Sequence, residues 1–180
     1  MNIRAKLFAL GVALVPTFAQ SELAPDPPLD GPEQAQRDLF DQARVGERLT
    51  AATLRAAASF KPKADEMFCY RYVKQGIYSA LGISLSVIHA YQAAEQLAES
   101  PCFVERGTAR KQLNVEDAPR GSVLVWGASP KYPSGHISVS MGNGKEVSDR
   151  IRPLTSNFGT TVRVFVPRPQ CERANGSSNS

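Results

Sequence analysis

Three cysteines and two histidines occur among the 180 residues, and one of each stands where thiol chemistry is feasible. Cys69 opens the stretch Cys69-Tyr70-Arg71-Tyr72-Val73-Lys74, in the first or second turn of a helix predicted from Asp65 to about Leu81. Unpaired backbone N–H groups and the helix dipole favour an anion at that end, so a thiolate is stabilised there. Arg71 and Lys74 add positive charge nearby. Tyr72, Val73, Gly76 and Ala80 share the helical face of Cys69, which points the sulfur toward the protein body. His136 follows Pro133-Ser134-Gly135 and begins an alternating segment in which His136, Ser138 and Ser140 share one face. Ile137, Val139 and Met141 share the other and are the expected core side. An imidazole within reach of a thiol can take its proton and activate the sulfur. The other histidine, His89, is flanked by Ile88 and Ala90 and reads as structural or solvated. No C-x-x-C or H-E-x-x-H spacing occurs, so the expectation is a site without metal or cofactor.

A Cys–His pair works best with a group that orients the imidazole. Gly142-Asn143-Gly144 is a strong hairpin signal after the histidine segment, and its turn length decides which residue faces His136. A two-residue Asn143-Gly144 turn pairs Ser138 with Asp149 and sets that carboxylate on the histidine face. A three-residue turn pairs Ser138 with Ser148 instead, because a one-residue slip exchanges the faces. Asn-Gly favours the two-residue form, and a carboxylate is the better imidazole partner. Asp149 is therefore the expected orienting residue, with Ser148 as the alternative.

The elements that must position these groups change period along the chain. The first half is helical in pattern. A start at Asp30-Gly31-Pro32 leads into Leu39, Phe40 and Ala43 at helical spacing, Gly46 is a candidate break, and a second segment runs to Ala58 before Pro62. Gly82 is a natural stop for the Cys69 helix. Ser86 is a candidate cap for a further helix carrying Val87, Tyr91, Ala94, Leu97 and Ala98 and ending before Pro101. Strands follow over 122–126, 136–141, 145–149 and 162–166. Helices first and an antiparallel sheet afterwards give an α+β fold.

Composition agrees with one globular domain. Apolar residues make up 42% and charged residues 21%, which excludes fibrous and wholly disordered classes. The formal charge of +4 invites a nucleic-acid reading. Arg4 and Lys6, however, lie in a short basic stretch before the apolar run from Leu7 to Val15, and Pro16 and Thr17-Phe18-Ala19 complete the pattern of an export signal over 1–19. Its removal takes two cations and no acid. The remaining basic residues are scattered, and no nucleic-acid module is present. The signal's apolar run is too short for a membrane span, so no transmembrane segment is expected after cleavage. A Pro-rich spacer over 20–32, a helical segment over 33–60, a principal domain over 61–167 and a polar tail over 168–180 complete the organisation.

Together, Cys69-Tyr70-Arg71-Tyr72-Val73-Lys74, Gly121-Ser122-Val123-Leu124-Val125-Trp126, Gly135-His136-Ile137, Gly142-Asn143-Gly144 and Ser148-Asp149 resemble the CHAP/NlpC-type cysteine peptidases and amidases of bacterial cell-wall hydrolases. The order is similar too: a cysteine on a helix, a strand, a histidine on the next strand, and a polar third residue after the hairpin. The resemblance spans roughly 61–166. The chain departs from NlpC-type sequences at Phe68, where those usually carry Asp, and at Ser148, where many carry a second histidine. Both departures bring it nearer to the CHAP-like amidases. The resemblance implies a papain-like fold, with N-terminal helices packed on a C-terminal antiparallel sheet. It also implies hydrolysis of amide bonds in peptidoglycan peptides, with Cys69 as nucleophile, His136 as base and Asp149 as orienting residue. The implied compartment is periplasmic or secreted. A non-catalytic cell-wall- or partner-binding module on the same fold is the alternative. If Cys69 stays free for that role, Cys102 and Cys171 are left as a disulfide pair, which an exported protein can oxidise.

Overall fold

The computed structural model describes residues 31–59, 68–108, 115–154, 158 and 160–171. The signal-like segment 1–19, the spacer up to Asp30, Pro62, the expected cap Asp65 and the tail beyond Cys171 lie outside them.

Val45, Leu49, Ala52 and Ala56 recur at helical spacing and form the buried stripe of α1 (Pro32–Ala58). Pro32 sits at the helix start, where its missing N–H costs no hydrogen bond. The expected break at Gly46 does not occur: α1 runs through it without interruption. Gly46 serves close approach instead. A Cβ there would meet the Arg120 carbonyl oxygen at 2.2 Å, because the turn entering the sheet crosses the helix at that point.

The second helix, α2 (Cys69–Leu81), packs its Val73, Ile77 and Ala80 against the α1 stripe. The two backbones approach where Gly76 faces Thr53, leaving no room for a side chain. Gly82 ends α2 in the left-handed conformation (φ 74°), and its N–H donates to the Tyr78 carbonyl, as expected for this stop. The helix expected from Ser86 starts later. A 3₁₀ turn at Ala90–Gln92 leads into α3 (Ala93–Glu99). Ser86 is held outside it by two hydrogen bonds with the Gln96 side chain. His89 takes the capping position, with its N–H donating to Gln92 Oε1 at 3.0 Å.

Six strands follow: β1 (Phe103–Thr108), β2 (Val123–Trp126), β3 (His136–Ser140), β4 (Lys145–Val147), β5 (Ile151–Pro153) and β6 (Val162–Pro167). They form one sheet in the order β1-β6-β2-β3-β4-β5, with every pairing antiparallel. The α+β expectation of helices packed on a C-terminal antiparallel sheet is thus met. Four strands overlap the expected segments, with β4 ending at Val147 so that Ser148 and Asp149 lie beyond it; the edge strands β1 and β5 have no counterpart among the expected segments.

Both faces of the sheet are buried. Val123, Val125, Ile137, Val139, Val147 and Phe165 meet α1 and α2 in the larger core. Each fully buried Val, Ile or Leu there contributes about 1.5–3 kcal/mol. Leu124, Trp126, Val162 and Val164 meet Leu154 and Phe158 in a smaller core on the other face. Cys102 and Cys171 form a disulfide across a sequence separation of 69 and fasten the chain after β6 to the start of β1. In the chain-entropy account a loop of that length stabilises by about 4 kcal/mol. Among the described residues no helix is long and apolar enough to cross a membrane.

Candidate active site

Cys69 is the first residue of α2 and the free cysteine among the described residues; its side chain is buried. That position places the sulfur beside the unpaired N–H groups of the first turn, the strongest part of the helix dipole. Tyr72, Val73, Gly76 and Ala80, on the same face, are buried with it. His136 opens β3, opposite Trp126 of β2. Cys69 is one of the groups that act on the His136 imidazole and raise its pKa, which sets the two side chains side by side. The structure therefore brings together the two residues singled out for nucleophile and base.

The third group is Glu146. Imidazole Nε2 lies 3.0 Å from Glu146 Oε1. The carboxylate is fully buried. Its Oε2 accepts a hydrogen bond from Ser138 Oγ at 2.8 Å, and Arg152 Nε lies 3.2 Å from its Oε1. A carboxylate in such a place requires this degree of pairing to remain charged.

Asp149, the expected orienting residue, does not touch the imidazole. It accepts from Arg152 at 2.6 Å, from Ser148 Oγ at 3.1 Å and from Arg150 at 3.0 Å. Burial pushes its pKa up, but those hydrogen bonds and the two arginines outweigh it and hold the carboxyl below its ordinary range. Ser148, the alternative, is likewise engaged with Asp149 and Arg152.

The hairpin explains the correction. Val139 pairs with Val147 and Ser140 with Glu146, so the turn contains three residues, Gly142, Asn143 and Gly144. Both glycines have positive φ, 71° and 68°. The shift by one residue sets Glu146 on the face of Ser138 and His136. The alternating pattern carried a signal for this: Glu146 shares a face with Ser148 in any register, and the three-residue register sets that face beside Ser138.

Burial and neighbouring groups pull the imidazole in opposite directions. Burial opposes the cation, but hydrogen bonds from His136 to Cys69 and Glu146, and the charges of both partners, outweigh it and raise the imidazole pKa. Phe158 stacks on the ring at 4.2 Å between centroids, and Trp126 lies tilted at 5.1 Å. These aromatic groups shield the pair from water. Phe158 carried no sequence signal, because no spacing links it to the histidine.

A recess of about 230 Å³ opens on Cys69. Phe68, Tyr70, Ile88, Ala90 and Ser134 line it, together with Arg71 and Lys74. Ser134 Oγ lies 3.1 Å from His89 Nδ1, and the His89 ring stacks on Tyr91, so the second histidine braces the rim, in keeping with a structural role. The described residues hold no cluster of three or more His, Cys, Asp or Glu side chains suited to a metal ion. The arrangement has the parts for nucleophilic acyl transfer: a thiol at a helix N-terminus, an imidazole beside it, and a carboxylate fixing the far side of the ring.

No protein-family model matches the sequence. None of the curated proteins matches it either. Among solved structures, the type VI native effector-immunity complex Tae3-Tai3 from Ralstonia pickettii contains a chain that is 21% identical, with a TM-score of 0.48, covering 66% of this chain and 97% of that one.

Proposed function

We propose that this protein is an exported cysteine hydrolase that cleaves amide bonds of peptidoglycan peptides, as an endopeptidase or an N-acetylmuramoyl-L-alanine amidase. The observation that carries the proposal is the buried carboxylate of Glu146 holding Nε2 of His136, with Cys69 at the start of α2 acting on the same imidazole and opening on a recess. The motif resemblance to CHAP/NlpC-type enzymes supplies the substrate class.

In this reading His136 Nδ1 takes the thiol proton, and the thiolate sulfur attacks the amide carbonyl carbon. The oxyanion lies against N–H groups at the start of α2. The imidazolium then gives its proton to the leaving nitrogen, the C–N bond breaks, and a thioester remains on Cys69. A water molecule, deprotonated by His136, attacks the thioester carbon. The carboxylic acid product departs and the thiol recovers its proton. Glu146 holds the ring in the orientation both transfers require and stabilises its positive charge.

The test is Cys69→Ala in the full chain, with products released from sacculi identified by mass spectrometry. Loss of at least about 1,000-fold in release is expected for a removed nucleophile. Unchanged products would overturn the mechanism. Binding to sacculi without release by the unaltered chain would instead favour a non-catalytic cell-wall module.

A further inference from the structure

The Cys69 recess is not the end of the cleft. A second cavity, of about 440 Å³, continues along α2 between Tyr78, Gln75 and Leu85, and Arg71 and Lys74 line both. The charge there is one-sided. From Met67 to Ala94 the chain contains no Asp or Glu, and among the described residues no acidic side chain lines either cavity. Arg71, Lys74, Gln75 and Tyr78 lie three or four residues apart and so form one outward stripe of the helix.

One of these cations is also held in place. The Lys74 ammonium lies over the Tyr70 ring, 5.3 Å from its centroid. The Tyr70 hydroxyl accepts a hydrogen bond from the Val87 N–H at 3.2 Å. The ring that seats the lysine is thereby fixed to the segment forming the opposite wall. Arg71 makes no ion pair with a carboxylate among the described residues. Arg71 and Lys74, in a groove with no acidic lining among the described residues, form a receptor for a carboxylate beside Cys69, with Arg71 able to bind it through two N–H groups.

We infer that the cleft running from Cys69 past Arg71 and Lys74 is the specificity subsite of this protein, and that it takes a free carboxylate on the peptide, a few atoms from the bond to be cleaved. This rests on Cys69 being the nucleophile of an amide hydrolase, and it adds which peptides are accepted: those with unamidated carboxylates.

The experiment compares peptidoglycan stem peptides bearing free carboxylates with the same peptides after amidation of those carboxylates. The unaltered chain is expected to favour the free form by about tenfold in kcat/KM, the effect of two partly exposed ion pairs. In the Arg71→Gln/Lys74→Gln double variant the ratio is expected to fall to about one. Raising the ionic strength should shrink the ratio in the unaltered chain, which needs no substitution and so no assumption about folding. A ratio near one in the unaltered chain, or a ratio untouched by the double substitution, overturns the inference. Binding of both peptides to Cys69→Ala protein separates the two readings. Preferential binding without turnover by the unaltered chain keeps the subsite and rejects the hydrolase; turnover without preference does the reverse.

Discussion

On one face of the sheet Ile137 and Val139 of β3 pack against the apolar stripes of α1 and α2. On the other face, one residue along in the same strand, His136 and Ser138 hydrogen-bond to Glu146, beneath Trp126 and Phe158. The two faces are equally buried and are held by different forces. The helical face depends on volume and area, which are non-directional and tolerate exchange among residues of similar size. The hairpin face depends on directional bonds among charged groups, where removing one partner leaves another unsatisfied. The first face stabilises the fold and carries Cys69; the second carries His136 and the carboxylate that holds it. Cys69 joins them, rooted in the helical core while acting on the imidazole of the polar one.

Substitutions that touch only one face sharpen this contrast. The largest effect is expected at Glu146. Glu146→Gln should lower kcat by about 100-fold, within the range for acid–base catalysis, whereas Asp149→Asn should leave the imidazole titration where it is. The sign of the pH effect follows from the raised pKa of His136, part of which comes from Glu146. In Glu146→Gln the midpoint of the His136 proton resonance should move to lower pH. The stabilisation from that pair is fully present below the ordinary imidazole pKa of 6.5 and is lost as pH rises through the raised value. The stability difference between the unaltered chain and Glu146→Gln should thus be widest in acid and narrow toward alkaline pH. An equal shift in Asp149→Asn would break the assignment of roles.

A smaller effect is expected on the helical face at Gly76. An added Cβ would lie 2.1 Å from Thr53 Oγ1 and 2.9 Å from its Cα, so α1 and α2 must separate. Gly76→Ala should cost about 1–3 kcal/mol in denaturant unfolding, as overpacking does, and leave the midpoint of the His136 titration unchanged. The finest test uses neighbours in β3. Ile137→Val should cost about 1 kcal/mol of stability with no change in pH profile. Ser138→Ala, which removes a hydrogen bond to Glu146, should cost a similar amount, about 1 kcal/mol, and also shift the pH profile of kcat. If the two behave alike, the distinction between the faces fails.

Much of this was legible from residue types and periods. Cys69 was identified by its place at a helix start, and His136 by opening an alternating strand. Both rest on local regularities that a short window contains. The pairing of Cys102 with Cys171 followed once Cys69 was reserved. Glu146 was missed because it depends on whether a hairpin turn holds two residues or three. Asn143-Gly144 suits the shorter form, and the flanking Gly142, also at positive φ, permits the longer one. Gly46 was misread for a related reason: a glycine inside a helical pattern looks like a break until the crossing chain at Arg120 and Gly121 is seen.

The amino-acid sequence by itself determined the α+β class, most of the helical and strand segments that form the core, and a thiol and an imidazole on separate elements. These follow from hydrophobic period and helix-end chemistry, which act over a few residues. Only the tertiary structure decided that Glu146 rather than Asp149 holds the imidazole, that Arg152 and Ser138 hold Glu146, and that Phe158 covers the ring. Those choices turn on strand register and on contacts between distant segments. A shift of one residue reverses every side chain in a strand, and no local preference is strong enough to set it alone.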